Sequence, residues 1–77
     1  MALYHVEIVT PVALEFDAIR AKNGRAAIEK ALAAAGYTGA AFAWYQGTGL
    51  SYPAGKRPTE CKYQVNGEFV HGIAWTL

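Results

Sequence analysis

Apolar and polar side chains alternate from Leu3 to Val9, with Tyr4, Val6 and Ile8 on one side and His5 and Glu7 on the other, which predicts a half-buried β-strand. Val12 to Lys22 carries two periods at once. Leu14, Phe16 and Ala18 alternate with Glu15 and Asp17 as in a strand, whereas Thr10-Pro11 suits a helix start and Val12, Phe16 and Ile19 recur at helical spacing. A two-residue period directly after a strand and a Pro-containing turn makes a simple hairpin, so the segment is read as a second strand. From Gly24 to Ala35 the period becomes helical. Asn23 can cap it, Ile28, Ala31, Leu32 and Ala35 share one face, Arg25 and Glu29 stand a turn apart in solvent, and Gly36 supplies a left-handed stop with Tyr37 over Leu32. Six alanines between Ala26 and Ala35 make this a thin helix, able to approach a sheet closely.

Ala40 to Gln46 predicts the next strand. Phe42 and Trp44 fall on one side and Ala41, Ala43 and Tyr45 on the other; since neither side is polar, it is read as a central strand. A loop rich in turn formers runs from Gly47 to Thr59, near the upper length that compact domains carry without a reason. Glu60 to Leu77 then folds back about Asn66-Gly67, the dipeptide that accepts positive φ at both central positions of a type I′ turn. Val65 faces Glu68, and counting outward puts Tyr63 opposite Val70, Cys61 opposite Gly72 and Thr59 opposite Ala74 on one face. Gln64 with Phe69, Lys62 with His71, Glu60 with Ile73 and Pro58 with Trp75 make up the other. The first face, ending in small residues, suits a helix cover. A β-bulge at Gly72 is the competing register, and it would turn Ile73 and Trp75 into the core while leaving Phe69 outside. The predicted fold is α+β: an antiparallel sheet of about five strands with one helix on one face, in a single domain over residues 1–77.

Composition narrows the function classes. A domain of 77 residues buries only about 60% of its unfolded surface, so a partner or a second copy is a natural addition to its stability. With 53% hydrophobic and 17% charged residues the chain is too apolar for disorder, yet no apolar run reaches the roughly 20 residues that span a bilayer. Formal net charge is +1, which gives no global pull toward nucleic acid or anionic lipid. Cys61 stands alone, which excludes an internal disulfide, and the start of the chain shows no signal-peptide pattern, so a cytoplasmic location is expected.

Motifs of catalysis fail on inspection. The run Gly49 to Lys56 places five residues between Gly49 and Gly55 where a phosphate loop needs four, and Arg57 replaces the hydroxyl that holds magnesium. Gly47-Thr48-Gly49 lacks the third glycine of a dinucleotide fold, because Tyr52 occupies that spacing. His5 and His71, without paired cysteine or clustered carboxylate in the sequence, read as surface strand residues rather than metal ligands or general bases. Cys61 reads as a small core side chain, and Glu15 and Asp17 as a solvated strand face. No enzyme activity, metal or cofactor is expected.

Two groups remain as candidate binding residues. Tyr52, Lys56 and Arg57 in the loop can stack on bases, grip phosphates or pair with acidic side chains, while Phe69, Ile73 and Trp75 form an apolar set on the open face of the hairpin. The layout as a whole, a strand pair from Tyr4 to Ile19, a short alanine-rich helix from Gly24 to Ala35 and a remainder ending in the Val65-Asn66-Gly67-Glu68 hairpin, resembles small bacteriophage proteins that act against host defences, type I anti-CRISPR proteins in particular. That resemblance implies a protein-binding inhibitor in the bacterial cytoplasm that contacts a host protein or nucleoprotein complex such as a CRISPR surveillance complex. A single-stranded nucleic-acid binder using the same aromatics, and a homodimer with packed open faces, are the alternatives.

Overall fold

The computed structural model describes residues 1–47 and 58–77. Asn66 and Gly67 hold φ of 52° and 83°, the pair of positive values that a type I′ turn requires. The turn fixes the hairpin of β4 (Thr59–Val65) and β5 (Glu68–Thr76) in the register expected from the sequence, with Val65 facing Glu68, Cys61 facing Gly72 and Thr59 facing Ala74. This ladder has no shift, so no bulge forms at Gly72. β1 (Ala2–Thr10) pairs antiparallel with β5 on its other side and with β2 (Leu14–Ala21) beyond, which settles residues 12–22 as a turn and a strand.

β3 (Ala41–Gly47) completes a five-stranded antiparallel sheet of order β2-β1-β5-β4-β3. Among the described residues it stands at the edge, beside β4, where the sequence reading had a central strand. An apolar pattern on both faces of a strand reports on those faces and does not count the strand's neighbours. Phe42 illustrates this: it packs edge-to-face on buried Tyr63, ring centres 5.7 Å apart, yet stays 39% exposed at the rim.

Three ladders carry one extra residue each. Val9 is the extra residue on β1 against β5, Ala43 the one on β3 against β4, and Asp17 and Ala18 together stand opposite His5 in the β1–β2 pair. The last bulge alters the predicted faces of β2. Phe16 and Ile19, three apart, both pack against the core while Ala18 is exposed, so the spacing that imitated a helix in the sequence marks a bulged strand.

The helix α1 (Gly24–Ala34) lies across β2, β1, β5 and β4 on one side of the sheet. The Asn23 side chain accepts the Ala26 N–H at 2.8 Å. At the other end Gly36 N–H donates to Ala33 O at 3.1 Å and Tyr37 N–H to Leu32 O at 2.9 Å, a Schellman stop that Gly36 permits with φ of 88°. Ile28 and Leu32 are buried with Val6, Ile8, Cys61, Tyr63, Val70 and Ala74 beneath them, each large side chain contributing about 1.5–3 kcal/mol. A Cβ added at Gly72 would lie 2.6 Å from Ile28 Cγ2, so the helix sits where only glycine admits it.

Candidate functional site

Because the small side chains Gly72 and Ala74 lie under the helix, strand alternation delivers the bulkier residues of β5 to the uncovered face. There one row crosses four strands, Glu15 on β2, Glu7 on β1, Ile73 on β5 and Glu60 on β4, each opposite the next. A second row sets His5 opposite Trp75 with rings stacked at 4.5 Å, and a third sets His71 opposite Lys62. Each imidazole turns to a carboxylate of the first row: His5 Nε2 lies 3.2 Å from Glu7 Oε2 and His71 Nε2 lies 2.8 Å from Glu60 Oε2.

The candidate residues taken from the sequence separate here. Phe69 is 58% exposed and borders a shallow groove of about 400 Å³ with Ala43, Lys62 and Gln64. Trp75 is half-buried against His5. Ile73 keeps the predicted face but is only 6% exposed among Glu7, Glu60, His71 and Trp75, so it supports the face and offers little surface of its own. Tyr52, Lys56 and Arg57 lie outside the described residues.

Sequence reasoning missed a cleft of about 550 Å³ on the helix side, between the C-terminal half of α1 and β3. Arg25, read from the sequence as a solvated helix residue, lies 3.8 Å over the Phe42 ring and donates to Glu29 at 2.9 Å, and Glu29 also accepts the Tyr63 hydroxyl at 3.0 Å. The i, i+4 spacing of Arg25 and Glu29 signalled their pair, but only the sheet order brings Phe42 and Tyr63 to it. These polar groups satisfy one another, which makes the cleft a brace between helix and sheet edge rather than a set of free donors converging on a ligand. Lys30, also on the outer helix surface, donates to the Arg20 carbonyl at 2.6 Å.

Two buried groups of the described core, the Cys61 thiol and the Tyr63 phenol, are held away from ionisation. Burial pushes the Cys61 thiol above its ordinary range, so it stays protonated, and burial likewise drives the Tyr63 phenol far upward. Among the described residues no buried side-chain nitrogen or oxygen lacks a hydrogen-bond partner. No helix among the described residues is long and apolar enough to cross a membrane. Comparison with protein-family models, curated proteins and solved structures finds no match.

Proposed function

We infer that this chain is a non-enzymatic protein-binding domain, an inhibitor or adaptor, that engages its partner through the open sheet face. The observation that carries the reading is the row Glu15, Glu7, Ile73 and Glu60, with Trp75 and Phe69 on either side of it. Aromatic side chains among carboxylates suit a protein partner whose apolar contacts are ringed by Lys or Arg. The same row repels phosphate, which weighs against single-stranded nucleic acid, since a base-stacking platform works within a cationic groove. Pairing of two open faces about a two-fold axis would bring carboxylates toward carboxylates, which weighs against a homodimer. The resemblance to type I anti-CRISPR proteins supplies the first partner to try, a CRISPR surveillance complex.

The test is capture of a partner by the immobilised chain from bacterial lysate, followed by binding kinetics with variants. Phe69→Ala and Trp75→Ala should each weaken binding about 30-fold through a faster off-rate, as for an anchor worth about 2 kcal/mol. Glu60→Lys should slow association, more so at low salt. Arg25→Ala, on the far side of the sheet, should bind as the parent does. Full affinity in the Phe69→Ala/Trp75→Ala/Glu60→Lys triple variant refutes the reading, as does capture of nucleic acid alone.

A further inference from the structure

We propose that His5, Glu7 and Glu15 form a binding site for a divalent transition-metal ion, zinc being the best match, on the open face at the β1–β2 edge. Alternation along β1 puts His5 and Glu7 on one face, and the β1–β2 register sets Glu15 directly opposite Glu7. His5 Nε2 lies 3.2 Å from Glu7 Oε2 and 4.0 Å from Glu15 Oε1, and one donor atom from each of the three residues lies within 4.8 Å of the others. Zinc bonds of about 2.0–2.1 Å in tetrahedral geometry place ligand atoms roughly 3.3–3.4 Å apart. A movement of about 0.6–1.5 Å in the Glu15 side chain, which is 70% exposed, closes the set.

Two features of the surroundings favour a cation there. The His5 ring is held by its stack on Trp75, so its nitrogen is aimed before any ion arrives. Glu7 and Glu15 are like charges directly across a strand pair, an arrangement that destabilises a sheet unless positive charge lies between them. With neutral imidazole the three ligands carry two negative charges, which a dication neutralises. Imidazole favours zinc over magnesium or calcium, and the exposed Glu15 side leaves a fourth position open to water. The His71–Glu60 pair is an internal control. Its 2.8 Å contact is shorter, but among the described residues it has no third donor.

The site shares Glu7 and Glu15 with the row that carries the partner-binding reading, but it is tested on the chain alone, so failure of either leaves the other standing. Titration of the tag-free protein with zinc chloride against a competing chelator should give one ion per chain and a melting temperature that rises with zinc concentration. His5→Gln and Glu15→Gln should each lower zinc affinity more than about tenfold, while His71→Gln leaves it unchanged. Melting curves without zinc check that the variants fold, and the exposure of Glu15 makes Glu15→Gln the decisive one. Absence of binding, one ion shared between two chains, or parental affinity in Glu15→Gln overturns the proposal.

Discussion

Gly72→Ala tests the closeness of helix and sheet. The new Cβ would meet Ile28 Cγ2 at 2.6 Å, whereas carbon atoms in contact normally stand about 3.5–4.0 Å apart. Ile28 is fully buried, so the overlap must be relieved by lifting the helix or forcing the Ile28 rotamer. Overpacking by one methyl group typically costs about 1–3 kcal/mol. Alanine also narrows the unfolded chain's freedom, returning about 0.4–1 kcal/mol. The net expectation is a loss of about 1–2 kcal/mol, which at about 4–8 °C per kcal/mol for a domain of this size lowers Tm by about 4–16 °C. Ile28→Leu removes the Cγ2 branch. Urea unfolding of both single variants and the double variant completes a cycle, and the double variant should be more stable than the sum of the two losses by about 0.5–3 kcal/mol. A Tm at or above the parent value in Gly72→Ala, or strict additivity in the cycle, would refute the packing argument.

Asn23→Ala removes the side-chain acceptor of the Ala26 N–H and should cost about 0.5–2 kcal/mol, read as a lower urea midpoint with unchanged slope; an unmoved midpoint means the cap contributes nothing. Alkaline pH should destabilise the fold through the buried Cys61, whose thiol titrates near 9.0 when unfolded and higher when folded. The unfolded chain then releases a proton that the folded chain keeps, so this contribution is complete below pH 9.0 and is lost as pH rises, at up to about 1.4 kcal/mol per pH unit. Cys61→Ala should flatten the fall in urea stability between pH 9 and 10, and an unchanged slope there would show that the thiol is not its source.

How much of this was legible in the sequence depends on whether the signal was local. Asn66-Gly67 determined the turn by backbone sterics, and everything within seven residues of it followed by counting. The helix ends were legible for the same reason, since Asn23 and Gly36 act within one turn. The edge position of β3 was not, because strand order depends on pairings between distant segments. The bulge in β2 left one trace, the Phe16 and Ile19 spacing, which also fits a helix. His5, Glu7 and Glu15 looked unrelated because the contact of His5 with Glu15 exists only once β2 folds back on β1.

The open face follows from the thinness of the helix. An alanine-rich α1 comes close to the sheet, and its approach at Ile28 demands Gly72 beneath it, with buried Ala74 two residues along. Strand periodicity then has no place for Phe69, Ile73 and Trp75 except on the other side. A lone sheet face with three large apolar residues in one strand invites aggregation unless it is shielded. Here the shield is polar side chains laid across it: the stems of Glu7 and Glu60 flank Ile73 and His5 stacks on Trp75, while Phe69 at the hairpin end is left open. Charge and apolar surface thus arrive together on the same face as a consequence of packing on the opposite one. On the proposed reading, that coupling is what a partner would recognise, without a separate binding element. It also separates the roles along β5, since Ile73 supports the fold from beneath while Phe69 and Trp75 face outward, so Ile73→Ala should lower stability before it alters affinity and Phe69→Ala should do the reverse.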